Sequence, residues 1–118
     1  MESKKFTLNY SKIEDVLVVE FAGYLCEGLL NDLEPAIDKH LEEGCRKFLF
    51  DFTGVSMLES PGVAGVLTVT EKIVDEYQGY LAFSDLNEMV TKVLEMVGVF
   101  LYAGLFNTRS EAMAEMKD

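Results

Sequence analysis

The run Phe48-Leu49-Phe50-Asp51-Phe52 constrains this chain more than any other segment, because it is apolar at all but one position. A strand with one face in water alternates apolar and polar residues, whereas a strand covered on both faces reads as a near-continuous apolar run. The run therefore predicts a strand near the centre of a sheet, with other elements packed over it. Around it the chain divides into short pieces. Phe6 to Tyr10 alternates, Ser11 to Asp15 is turn-like and Val16 to Phe21 is apolar and β-branched. Together these predict a hairpin whose second strand ends at Gly23.

Leu30, Leu33, Ile37 and Leu41 recur at helical spacing and predict a helix that stops at Gly44. Pro35 suits that helix if it begins around Asn31 or later, and otherwise implies a kink, since proline lacks the N–H and crowds the carbonyl four residues back. From Pro61 to Tyr77 the positions Val63, Val66, Leu67, Ile73, Val74 and Tyr77 form a second helical stripe, although Val66-Leu67-Thr68-Val69-Thr70 alone favours a strand. Tyr80 to Phe83 reads as a short strand, Asn87 to Met96 as a helix capped by Asn87 and ended at Gly98, and Val99 to Tyr102 as a last strand. Thr108-Arg109-Ser110-Glu111 has capping-box spacing and opens a final helix through Met116. The order is ββαβαβαβα. Strands that alternate with helices after an opening hairpin predict an α/β domain with right-handed crossovers and a largely parallel sheet core.

A length of 118 residues suits a single domain over the whole chain, with one hydrophobic core. The 21 acidic side chains against 10 basic ones give a formal net charge of -11, a field that repels nucleic-acid phosphates and anionic lipid and favours a basic protein surface as partner. No apolar run approaches the roughly 20 residues needed to cross a bilayer, and the first residues lead into a strand-like stretch without a signal-peptide core, so a cytoplasmic protein away from membranes is expected. Cys26 and Cys45 are too few and too far apart for a disulfide framework or a zinc site, and two reduced, part-buried thiols are expected. His40 has no Cys or second His at ligand spacing and is expected to be a solvated helix residue. Glu42, Glu43, Asp75 and Glu76 fit solvated helix faces, and neither a metal nor another cofactor is expected. The six methionines are expected mostly in the core, with Met57 placed beside Ser60 as an adaptable interface contact.

The segment from Asp51 to Gly62, Asp-Phe-Thr-Gly-Val-Ser-Met-Leu-Glu-Ser-Pro-Gly, joins the central strand to the second helix. Ser60 precedes Pro61, which predicts Ser60 as the N-cap and Pro61 as the first helical residue. Capping alone accounts for a serine there. Asp51 ends the apolar run as the phosphoacceptor of a receiver domain would, but Leu101 to Phe106 contains no lysine. Asp51 is instead expected to bond N–H groups of the following loop. Gly54 and Gly62 lack the Lys-Ser/Thr end of a phosphate-cradling loop. None of these groups makes a catalytic set, so the chain is expected not to be an enzyme.

An acidic residue, a serine, a small residue and a glycine opening a helix, after a strand carrying Asp51-Phe52-Thr53, resembles STAS domains and especially the bacterial anti-sigma factor antagonists. Gly23-Tyr24-Leu25 resembles the family's Gly-x-Leu before its first helix, and Phe83-Ser84 its fourth strand. Leu94, Val97 and Gly98, then Leu105-Phe106 and Ser110-Glu111-Ala112, resemble its C-terminal pattern, so that the resemblance covers roughly Phe6 to Met116. It implies a STAS-like mixed β-sheet with helices mainly on one side. It also implies a partner anti-sigma factor with serine kinase activity, bound by the unmodified chain and released on phosphorylation, with Ser60 as the phosphoacceptor. Residues that flank a helix N-terminus point outward together, so the expected partner surface takes in Ser56, Met57, Glu59, Pro61, Gly62 and Val63. Glu59 stands where the family usually has Asp and Pro61 where it usually has Ser or Thr; Pro61 removes one donor toward a phosphate and leaves the N–H groups of Gly62 and Val63. The alternative is a STAS subunit without a phosphoswitch, in a stressosome-type scaffold or a lipid-transport complex. The sequence is compatible with either monomer or dimer.

Overall fold

The computed structural model describes residues 5–117. Its strands are β1 (Phe6–Ile13), β2 (Val16–Leu25), β3 (Lys47–Leu58), β4 (Tyr80–Ser84) and β5 (Gly104–Phe106). Its helices are α1 (Leu29–Glu42), α2 (Ser60–Glu71, prolonged by a π turn over Lys72–Glu76), α3 (Glu88–Met96) and α4 (Arg109–Met116). The element order is the expected ββαβαβαβα. The five strands lie side by side in chain order, β1 antiparallel to β2 and the other neighbours parallel. The continuous apolar run thus lies in β3, the middle strand.

Alternation along the strands sorts the two faces. Leu17, Val19, Phe21, Phe48, Phe50, Phe52, Leu81 and Phe83 face α1, α2 and α3, while Val16, Val18, Leu49 and Ala82 face Ala112 and Met116 of α4. Three helices cover one face and one short helix the other. Four phenylalanines make a layer across the middle of the larger face: Phe21 lies 4.9 and 4.7 Å from Phe50 and Phe52, and Phe83 lies 5.4 and 5.5 Å from the same two rings. Each buried ring contributes about 1.5–3 kcal/mol by leaving water, with a further contribution from its tilted or edge-on neighbours. α1 buries Leu29, Leu33, Ile37 and Leu41 on one stripe. It is tied to α2 by Lys72, whose ammonium lies 2.7 Å from both Glu34 and Asp38.

Several boundaries differ from expectation, each for a physical reason. β1 continues through Ile13 and only Glu14 and Asp15 turn, because an edge strand need not be apolar to pair. β2 runs past Gly23 to Leu25. Gly23 adopts a left-handed φ of 93° at a shift of register, and a side chain there would overlap the Lys5 carbonyl; a glycine that reads as a strand end is a bulge. α1 begins at Leu29, so Pro35 lies inside the helix and the Asn31 carbonyl receives no N–H from it. The expected strand over Val99 to Tyr102 is a 3-10 turn over Val99–Leu101, and the strand falls at Gly104–Phe106. Val99 and Phe100 are apolar because they plug the core, Phe100 standing edge-on 5.7 Å from Phe83.

The methionines also depart from expectation. Among the five described, only Met116 is fully buried; Met57 and Met113 are half-buried, and Met89 and Met96 are exposed. His40 is half-buried rather than solvated, its Nδ1 lying 2.8 Å from the Ala36 carbonyl. Cys26 and Cys45 are free and buried. No helix among the described residues is long and apolar enough to cross a membrane.

Candidate functional site at the start of α2

β3 outruns its neighbour β4. It pairs with β4 only from Lys47 to Asp51 but stays paired with β2 as far as Leu58, across two shifts of register. Asp51 therefore lies inside the strand, at its last pairing with β4, rather than at its end. The seven residues beyond it carry the chain above the edge of β4 to the start of α2.

The Val63 N–H donates to the Glu59 carbonyl at 2.9 Å, which makes Glu59 the N-cap, Ser60 the first helical residue and Pro61 the second. The helix starts one residue before the sequence placed it. Pro61 is tolerated at either position, because the first N–H groups of a helix have no carbonyl to meet within it. Three consequences follow for the expected site. The Ser60 side chain is not the cap. The Val63 N–H is already engaged, so the N–H groups without an intrahelical partner are those of Ser60 and Gly62. The Glu59 side chain does not cap the helix either; its Oε2 accepts the Tyr24 hydroxyl at 2.9 Å. That hydrogen bond, followed by burial and the charge of Glu59, raises the Tyr24 phenol above its ordinary pKa.

Point contacts hold this end of the strand. The Glu59 N–H donates to Leu25 O at 2.9 Å, and the Ser56 hydroxyl to Gly23 O at 3.2 Å. The Asn87 amide donates to Val55 O at 3.2 Å and Ser56 O at 3.4 Å, while its own oxygen caps α3 by accepting the Val90 N–H at 2.8 Å. The cap was legible in the sequence and the brace was not, since nothing local links residue 87 to residue 55. Gly62 is buried against the Leu25 carbonyl so closely that a Cβ would overlap it. Of the expected partner surface, Ser56, Glu59, Ser60 and Pro61 are exposed and Met57 and Val63 half-buried. Gly62 contributes backbone and close packing, not contact area.

Asp51 serves as a brace. Its Oδ1 accepts the Thr53 N–H at 2.9 Å, as expected of a loop-bonding carboxylate, and the Thr53 hydroxyl at 2.6 Å. Its Oδ2 accepts Arg109 Nε at 2.8 Å, and Arg109 also reaches Glu20 at 2.6 Å. Burial pushes the Asp51 carboxyl up, but the Thr53 hydrogen bonds and the Arg109 guanidinium outweigh it and hold the pKa below the usual carboxylate value. The arrangement leaves an exposed serine hydroxyl in the first turn of a helix, where orphan N–H groups and the helix dipole tolerate added negative charge.

A family model described as the STAS domain matches residues 7–112. BtrV of Bordetella bronchiseptica, named as a candidate anti-sigma factor antagonist, is 26% identical over 110 residues, covering 93% of this chain and 94% of its own length. The crystal structure of an anti-sigma factor antagonist from Mycobacterium paratuberculosis has a TM-score of 0.80 at 20% identity, covering 96% of this chain and 95% of that one. The Bacillus cell fate determinant SpoIIAA, solved unphosphorylated and phosphorylated, gives TM-scores of 0.78 and 0.72 at 18% identity; the two cover 93% and 95% of this chain, and 96% and 99% of their own. At these identities the structural likeness is one of fold.

Proposed function

The chain belongs to the STAS domain family, and from that premise we propose that it is an anti-sigma factor antagonist in a partner-switching system. It binds an anti-sigma factor with serine kinase activity through the end of β3 and the start of α2, and phosphorylation of Ser60 ends the complex. The setting is the cytoplasm, and the chain is the substrate of a kinase, not a kinase itself. The observation that carries the reading is the placement of Ser60: exposed, in the first turn of α2, beside a carboxylate that is turned away to Tyr24. The names of the relatives and the phosphorylated form of SpoIIAA support it.

The switch is electrostatic. A phosphate adds about −1.5 to −2 charges at Ser60, which the helix N-terminus accommodates in the free protein. Inside a desolvated contact the same charge, next to Glu59, opposes binding by several kcal/mol. Titration of Ser60→Asp and Ser60→Ala against the anti-sigma kinase, with thermal melts of both variants, tests this. Ser60→Ala is expected to bind as the wild type does and to take no phosphate from ATP. Ser60→Asp is expected to lose affinity by about 100-fold or more while staying folded. Equal affinity of Ser60→Asp and wild type would make the chain a non-switching subunit of a larger assembly.

A further inference from the structure

We propose that the corner formed by the end of α3, the turn after it and β5 is a second docking surface, fitted to an amphipathic, basic segment of a partner protein. Met96 and Leu101 are 85% and 89% exposed, and Val97, Tyr102 and Leu105 beside them in the chain are exposed as well. Scattered apolar residues on a surface need no explanation, whereas exposed ones gathered in a patch mark an interaction site, and these five are gathered around one turn between positions 96 and 105. The backbone sets their direction. Gly98 ends α3 with a left-handed φ of 84°, and Leu101 Cδ1 comes within 3.5 Å of where a Gly98 Cβ would lie. Val99 is buried and Phe100 packs on the core, so Leu101 is directed outward by a turn anchored on both its inner side chains.

Charge decides what fits. Residues 96 to 108 carry no formal charge, while the last turn of α3 brings Glu95 to the rim. Lys92 is spent on Glu88 at 3.4 Å, and Arg109 on Glu20 and Asp51. Glu115 lies near Tyr80, which itself sits against Gly104 of β5. An apolar patch with an acidic rim matches apolar anchors flanked by lysine or arginine. A second copy, also carrying a net charge of -11, or an anionic membrane would set like charges together. The corner is separate from the Ser60 surface: Asn87 fastens the start of α3 at that end of the sheet, and Met96 lies about 12 Å further along the helix axis.

The probe is a fluorescein-labelled model helix of leucine and lysine, titrated with the protein and followed by anisotropy, beside a leucine and glutamate helix of the same apolar pattern. The expected result is binding of the lysine helix but not the glutamate helix. That binding should weaken about tenfold or more in the double variant Met96→Ser/Leu101→Ser and persist in Ser60→Asp, so the outcome is independent of the proposed switch. Both substituted side chains are exposed, and circular dichroism melts verify the fold of the variant. Equal binding by the double variant, or no binding by the wild type, would overturn the proposal. So would a wild-type dimer in ultracentrifugation that Leu101→Ser dissolves, or adsorption to anionic vesicles that the same variant abolishes.

Discussion

The two halves of β3 are held in place by different means. From Lys47 to Asp51 the strand is paired on both sides, and Phe48 and Phe50 lie in the core beneath three helices. From Phe52 to Leu58 it is paired on one side only, through a shifted register; Thr53, Gly54 and Ser56 are exposed while Phe52, Val55 and Leu58 remain buried. The first half is fixed by burial. The second combines three buried anchors with hydrogen bonds from Ser56 to the Gly23 carbonyl and from Asn87 to the Val55 and Ser56 carbonyls, each contributing about 1 kcal/mol. The proposed partner surface is therefore built from the less redundant half, where a change of charge need not disturb the core.

Phe50→Ala should separate the halves most sharply, with a stability loss of about 4 kcal/mol in urea unfolding; a loss below about 1 kcal/mol would mean that the aromatic layer is not what fixes the strand. Next comes Gly62→Ala, about 2–3 kcal/mol, because the new Cβ meets the Leu25 carbonyl, which is itself held by the Glu59 N–H. An alanine variant of unchanged melting temperature would show that this end yields freely.

Asp51→Asn, at the junction of the halves, is expected to cost about 2 kcal/mol at neutral pH by weakening the pair with Arg109. The sign with pH follows from the lowered pKa of Asp51. Its contribution is present above the unfolded value and is lost as pH falls through the folded one, so the gap between wild type and variant should begin to close as pH falls below about 4 and vanish below the folded pKa. A gap that widened in acid would contradict the ion pair as its source. The smallest stability effect belongs to Ser60→Asp, within about 0.5 kcal/mol of wild type, since an acidic residue in the first turn suits the helix dipole. A large destabilisation would make its binding data uninterpretable as a switch and erase the contrast between the halves.

The sequence by itself determined the order of elements, the central place of the Phe48 to Phe52 run, the Asn87 cap and the Thr108 to Glu111 capping box. Each of these rests on period, propensity or a hydrogen bond closed within four residues; the Thr108 hydroxyl accepts the Glu111 N–H and donates to the Glu111 carboxylate, each at 3.1 Å. It also brought Ser56, Met57, Glu59 and Ser60 into one candidate surface, because they are neighbours along the chain. Only the tertiary structure decided which carbonyl α2 starts from, that Glu59 turns to Tyr24, that Gly23 is a bulge inside a strand and that Val99 and Phe100 plug a core instead of extending in a sheet. Arg109 meets Asp51 across 58 residues of chain and Glu20 across 89. Such pairings depend on which distant segments are brought within hydrogen-bonding distance, and that is set by how the helices pack on the sheet, not by any pattern along the chain.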